Sequence, residues 1–190
     1  MQFTPGTNWS YSHSDYVLLG LALAKITGMP LAQALHRMVL KPLGLRNTVA
    51  SQTAAIPSPV LHAYSPERKQ FLGIARSKPF DEDSTFWNPS WTLARGAVET
   101  TDIRDLTRTA IGIGSGRLLS RASYRVMTDP RLGFGHPQKG CERCTTLTRR
   151  YGYGLGIVKN GDWLLQNPLF GGYAAIEPYS VSQYGLTLPL

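Results

Sequence analysis

The sequence predicts an α+β domain in which helices come first and antiparallel strands come last, with the helices packed on one sheet. Three observations carry this. Apolar residues recur at helical spacing over 14–26, 31–40 and 103–111. After residue 150 the period drops to two, with Tyr151, Tyr153, Leu155 and Ile157 alternating. Asn160-Gly161 then separates two such runs, the strongest short hairpin signal a sequence offers. At 190 residues the chain suits one domain over 1–190, mainly helical over 1–128 and antiparallel over 151–190.

The first twenty residues organise the rest. A Pro5-Gly6 turn leads into a polar, aromatic stretch that runs straight into the helix pattern Tyr16, Val17, Leu19, Leu21, Leu23. Ser12-x-x-Asp15 fits a capping box, so Tyr11 is expected on a fixed loop before a buried helix over 14–26. Gly28 suits a left-handed stop. Pro30 fits the first turn of a second helix over 31–40, with Leu31, Leu35, Met38 and Val39 as its buried face. His36 lies beside that stripe and reads as a surface or satisfied core position before it reads as catalytic. Pro42-Leu43-Gly44-Leu45 is expected to end this helix, because proline lacks the amide hydrogen and clashes with the preceding turn.

From 50 to 89, four prolines at 57, 59, 66 and 79 rule out a continuous helix. Residues 62–64 and 71–74 read as short strands or extended loop. Asp81-Glu82-Asp83 reads as a solvated turn before it reads as a cation site. Thr100 or Thr101 is expected to cap a helix carrying Ile103, Leu106, Ala110 and Ile111, with Asp102 in its first turn. Gly112, Gly114 and Gly116 are read as its stop. They follow a helix, whereas a phosphate cradle follows a strand and opens one. Ser120 caps one more short helix to about residue 127. The 129–150 stretch is a loop rich in Gly, Pro, Arg and Cys. Residues 163–165, 172–176 and 184–188 read as further strands.

Composition narrows the function classes. Hydrophobic residues make up 42% and charged residues 17%, which is globular and not disordered. No run of about twenty apolar residues exists to span a membrane. No basic segment followed by an apolar core opens the chain, so no signal peptide is expected, and the chain as written would stay where it is made. The net charge is +8 and the pI about 9.7, but the basic residues are scattered without an aromatic-interleaved stripe, which argues against nucleic acid as a partner. Cys141-x-x-Cys144 is half of a four-ligand zinc site with no second half, and His136 adds only a third ligand in a loop. It reads as a loop disulfide in an exported parent, or as two idle thiols otherwise. No cofactor is called for.

A family resemblance rests on Phe3-x-Pro5-Gly6-Thr7-x-Trp9-x-Tyr11-Ser12-His13-x-x-Tyr16-x-Leu18-Leu19-Gly20. This closely resembles a segment of the serine β-lactamase-like family, which includes penicillin-binding proteins, D-alanyl-D-alanine carboxypeptidases and related esterases. A lone Tyr-x-His is more often an interfacial aromatic beside a surface histidine; the flanking pattern decides here. The family's second motif, Tyr-x-Asn, would be Tyr11-Ser12-His13. Leu40-x-Pro42-Leu43-Gly44-Leu45 with Asn47-Thr48 looks like the close of the family's helical pair, and 86–91 and 96–102 look like its entry to another helix. Its third motif, Lys-Thr-Gly or His-x-Gly on a strand, resembles Gln166-Asn167-Pro168-Leu169-Phe170-Gly171-Gly172-Tyr173, with Gln166 in the His or Lys place and Pro168 in the Gly place.

The resemblance implies a β-lactamase/transpeptidase-like fold, incomplete at both ends, and acyl transfer through an acyl-enzyme on a β-lactam, a D-Ala peptide or an ester. By it, Tyr11 would move a proton; His13, Gln166, Asn167 and the amide of Leu169 would line the substrate slot, Leu169 as the remaining oxyanion donor. The partner implied is a small-molecule or peptidoglycan-peptide substrate. The family's nucleophile motif is Ser-x-x-Lys, placed well upstream of the tyrosine. No serine in this chain has lysine three residues later; Ser65-x-x-Arg68 comes nearest, and arginine cannot act as a base. The expectation is therefore a fragment of such a hydrolase, catalytically incomplete, with a non-catalytic peptide- or partner-binding module as the alternative.

Overall fold

The computed structural model describes residues 3–5, 7–51, 53–88, 97–130, 141, 144–148 and 150–182. The readings made for Gly6, for 131–140 and for the strand at 184–188 lie outside these.

Helix α1 spans His13–Thr27 and stops at Gly28, whose φ of 65° is open to glycine at no steric cost. Ser12 occupies the N-cap, but its side chain makes no capping hydrogen bond, so the expected capping box does not form. The expectation that α1 is buried is also corrected. Only Gly20 is buried, while Leu18, Leu21 and Ile26 are 65%, 61% and 80% exposed.

The second helix begins as expected after Pro30, with α2 over Leu31–Leu35. It does not end before Pro42. It widens into a π-helical segment over His36–Leu40, where the Lys41 amide donates to the His36 carbonyl, and runs on through α3, Lys41–Leu43, to Gly44. The wider turn gives proline a place without a broken i to i+4 bond. It also rotates the apolar stripe. Leu40 turns inward and Met38 outward, 50% exposed, contrary to the helical-spacing reading. Leu40, Leu43 and Leu45 then form a buried cluster with Val39 and Leu118 against it.

Helix α4, Ile103–Gly114, is capped by Asp102, whose carboxylate accepts from the Asp105 amide; neither Thr100 nor Thr101 is the cap. Gly112 lies inside the helix, while Gly114 is its last residue and Gly116, at φ 70°, turns the chain after it, so the glycine run does end α4. A Cβ at Gly112 would sit 2.4 Å from Leu43, and one at Gly114 would sit 2.1 Å from the Tyr179 ring. The two glycines thus let α4 approach α3 on one side and the sheet on the other. Helix α5, Arg121–Thr128, is capped by Ser120 through the Ser123 amide, as the sequence predicts.

Strands β1 (Val49–Ala50) and β4 (Glu99–Thr100) pair, as do β2 (Tyr64–Ser65) and β3 (Glu82–Asp83). Residues 71–73 form turns, not a strand. The acidic stretch is ordered by ordinary partners: Asp83 bonds His62 at 2.9 Å, and Glu82 forms an ion pair with Arg68 at 2.9 Å.

The main sheet is antiparallel. It contains β5 (Tyr151–Tyr153), β6 (Val158–Asn160), β7 (Trp163–Gln166) and β10 (Glu177–Ser180), in the order β10-β7-β6-β5. The Asn160-Gly161 hairpin falls where expected, Gly161 taking φ 58°. Leu164, 2% exposed, is the centre of the sheet's buried face, and α4 packs on β10. A separate ribbon, β8 (Leu169–Phe170) with β9 (Tyr173–Ala174), connects β7 to β10.

Candidate active site

An aromatic cluster joins the entry to α1 with the edge of the sheet. Trp9 stacks on Tyr153 at 4.7 Å, and Tyr11 packs against Tyr16 at 5.6 Å. His13 meets the Tyr11 ring edge-on at 5.5 Å. The hydroxyls of Tyr16 and Tyr153 bond to one another. Tyr11 is in the first extended residues before α1, and Tyr16 is on its first turn. The residue types therefore fix one ring relative to the next through the helix start. Tyr11 is 53% exposed, so its ring is held while its surface stays open.

The third motif reaches this cluster through a turn. Residues 154–157 connect β5 to β6, and the Gly154 amide bonds the Ile157 carbonyl at 2.8 Å. A Cβ built on Gly156 would lie 4.0 Å from the Tyr16 hydroxyl. The Gln166 side-chain amide donates to the Gly156 carbonyl. Tyr11, His13 and Tyr16 thus form one set of ring contacts and Gln166 with Gly156 another, and Gly156 lies beside the Tyr16 hydroxyl without bonding to it. Asn167 is exposed and Leu169, 70% exposed, pairs with Ala174; the described bonds and ring contacts tie neither to Tyr11. Beyond them, the Gly171 carbonyl accepts from Ser84, and Trp87 closes over the same turn, so the β8–β9 ribbon rests on β2–β3.

Electrostatics set what these groups can do. Burial, with the nearby Tyr153 phenol, pushes the Tyr11 hydroxyl above its ordinary range. Burial and the bond to Tyr153 push Tyr16 further in the same direction. Both phenols therefore stay protonated near neutral pH. Glu177 is the register partner of Gln166, and burial raises its carboxyl to about 7. Sequence reading missed Glu177, Tyr16 and Tyr153 as site residues. The alternation of Tyr151 and Tyr153 pointed to a strand, but nothing in it shows which tyrosine faces α1. Among the described residues no group of three His, Cys, Asp or Glu could hold a metal. Cys141 and Cys144 are joined in a disulfide, and the Thr145 amide beside it donates to the Trp9 carbonyl at 3.1 Å.

Comparison with known proteins settles the family. Its sequence profile, described as Beta-lactamase, matches residues 1–178. The chain belongs to the beta-lactamase family. A relative in Escherichia coli O157:H7, named putative D-alanyl-D-alanine carboxypeptidase, is 32% identical over 201 residues, covering 94% of this chain and 41% of the relative. Its Escherichia coli K12 counterpart matches equally, at 32%. Among solved structures, a D-stereospecific amidohydrolase from Streptomyces superposes with a TM-score of 0.74 at 29% identity, covering 94% of this chain and 48% of that one. A penicillin-binding protein from Bacillus halodurans shares the fold, with a TM-score of 0.72 at 14% identity over 100% of this chain and 53% of that one. The chain thus spans about two fifths of the curated relatives it matches and about half of the structural ones. The fold is β-lactamase/transpeptidase-like, as the sequence motifs imply.

Proposed function

We propose that this chain is a fragment of a β-lactamase-like serine hydrolase that carries the tyrosine and third-motif walls of the site but does not turn over substrate alone. One observation supports the reading: the Tyr11–Tyr16 ring pair and the Gln166–Gly156 bond lie side by side in a chain that contains no Ser-x-x-Lys. The serines of the described core are also committed elsewhere. Ser65 accepts from the Glu67 amide at 3.2 Å, and Ser84 donates to the Gly171 carbonyl.

The energetics point the same way. A free phenol titrates about three units above neutrality, so ionising one at pH 7 costs about 4 kcal/mol. The environment of Tyr11 raises that cost. In the intact family a lysine ammonium would oppose it; here no lysine motif is present. His13 lies against the Tyr11 ring, but without a Ser-x-x-Lys no covalent route follows. The substrate class proposed for the parent protein is a peptide or amide of a D-amino acid. The names of its relatives support this: putative D-alanyl-D-alanine carboxypeptidase and D-stereospecific amidohydrolase.

The test is intact-protein mass spectrometry after incubation with benzylpenicillin, together with release of D-alanine from a D-Ala-D-Ala peptide. The expected result is an unchanged mass and no release. A stable adduct on any serine overturns the proposal. The exposed Tyr11 ring beside His13 favours one alternative, a site that binds peptidoglycan peptides without cleaving them. Saturable muropeptide binding with no hydrolysis would select it.

A further inference from the structure

The Cys141–Cys144 disulfide has no part in the proposed function, yet it touches the segment that carries Tyr11. The two cysteines are the only ones in the chain, so reduction has one target and reoxidation one intramolecular product. Both are partly exposed, so a thiol reagent can reach them. Their bridge closes a turn in which the Cys144 amide donates to the Cys141 carbonyl at 3.2 Å.

This turn is anchored on one side and holds Trp9 on the other. On the anchored side Leu147 is buried, and the Thr148 amide donates to the carbonyl of Tyr151, the first residue of β5, at 2.6 Å. On the other side the Thr145 amide, next in sequence to Cys144, donates to the Trp9 carbonyl at 3.1 Å. Among the described residues this is the one backbone hydrogen bond that ties 3–11 to a distant part of the chain. The Trp9 ring lies on Tyr153, whose hydroxyl bonds Tyr16. Trp9 is thus fixed at its carbonyl by the disulfide turn and at its ring by the sheet, two residues before Tyr11. A bridge between residues three apart closes a small loop and takes little entropy from the unfolded chain. Opening it therefore acts on this segment more than on the fold as a whole.

We propose that the Cys141–Cys144 disulfide is a redox clasp on the entry to α1: closed, it holds Trp9 and with it the Tyr11 ring; opened by a dithiol reductant, it releases both. In the opening step a thiolate of the dithiol attacks one sulfur, the S–S bond breaks, and the other cysteine leaves as a thiolate. The second thiolate of the dithiol then attacks the mixed disulfide and leaves as part of a cyclic disulfide. The protein gains two electrons and two protons, and the dithiol loses them. The clasp regulates the same tyrosine that the proposed function uses and rests on that reading for its consequence, but its readout needs no substrate.

The experiment compares the full chain, oxidised and after dithiothreitol, by hydrogen-exchange mass spectrometry and tryptophan fluorescence. Exchange over 144–148 is expected to rise at least tenfold on reduction, while exchange over 103–114 in α4 changes less than twofold. The emission of Trp9, taken as the difference between the chain and Trp9→Phe, is expected to move to the red on reduction and to return on reoxidation. Cys141→Ser with Cys144→Ser should show the reduced pattern without reductant and no response to dithiothreitol. Circular dichroism verifies that this variant folds, and Cys141→Ala with Cys144→Ala replaces it should it not. Faster exchange at 144–148 with unmoved Trp9 emission would confine the bridge to its own turn and overturn the proposal. Equal acceleration over 103–114, or a response of the cysteine-free variant to dithiothreitol, would overturn it too. None of these outcomes produces or removes an acyl adduct, so the clasp and the proposed function can fail separately.

Discussion

Asp105 is fully buried and has no freedom to be anything but a clasp. One carboxylate oxygen accepts from the Asn47 amide at 2.7 Å and the Thr48 hydroxyl at 3.1 Å. The other accepts from Arg108 at 2.7 Å. Asp102 completes the arrangement by capping α4 and accepting from the Asn47 side chain at 2.6 Å. Together they fasten the 45–48 stretch to the start of α4. Replacing Asp105 with alanine leaves the Asn47 amide and the Arg108 guanidinium without this acceptor and the Thr48 hydroxyl with Thr101 alone. The expected loss is about 3 kcal/mol in urea denaturation, with Asp105→Asn losing less because its shape and one acceptor remain. A loss under about 1 kcal/mol for the alanine variant would mean the clasp does not hold α4. Nothing in the sequence announced this residue: an acid at the third position of a helix reads as a dipole partner on a solvated turn.

At the scale of elements, periodicity served where one chain segment decides its own structure. Helices α1, α4 and α5 and the Asn160-Gly161 hairpin lie close to where spacing and turn chemistry put them. It failed where a neighbour decides. The glycine run does end α4 at Gly114, but that Gly112 and Gly114 are also its contact points with Leu43 and Tyr179 is information held in residues far along the chain. The π-helical turn before Pro42 overrode both the proline stop and the Met38 face. The candidate site was legible only as motifs. Tyr11 and Gln166 could be named, but the Tyr16–Tyr153 bond that links α1 to β5 spans 137 positions and has no local signal. Helix α1 carries the element's prediction. A helix apolar all round belongs in an interior, yet Leu18, Leu19, Leu21 and Ile26 lie open. The isolated chain should therefore self-associate and bind a hydrophobic dye. Leu18→Ser with Ile26→Ser should shift sedimentation toward the monomer at equal concentration and lower the dye signal severalfold. An unchanged sedimentation profile would show that this face is not the adhesive one.

For the molecule as a whole, charge is better placed to govern stability than to select a partner, since +8 is spread along the chain. Two carboxyls stand against this positive background. Glu99 and Glu177 are both raised to about 7 by burial, and the oxygens of Glu99 have no partner. In the unfolded chain each titrates near 4.3. Between those values the folded state keeps protons that the unfolded state releases, so stability falls as pH rises from about 4.3 through 7. Below that window both states are protonated and the penalty is absent; above it the penalty is complete. Asp83, lowered to about 2 by bonds from Thr85 and His62, and Asp102, lowered by the Asp105 amide, act oppositely. Their contribution is present above the ordinary aspartate range, near 3.9, and is lost as pH falls toward 2. Thermal melts from pH 4 to 8 should therefore show a maximum near pH 4.5 to 5 and a decline toward pH 8. Growing positive charge at low pH works against that maximum, so the decisive quantity is a difference between two proteins with the same background. Glu99→Gln with Glu177→Gln removes both carboxyls, and its melting temperature should lose most of the decline between pH 5 and 8 while matching the parent near pH 4. A parallel decline in parent and variant would place the pH dependence in other groups and show that neither glutamate is protonated by the fold.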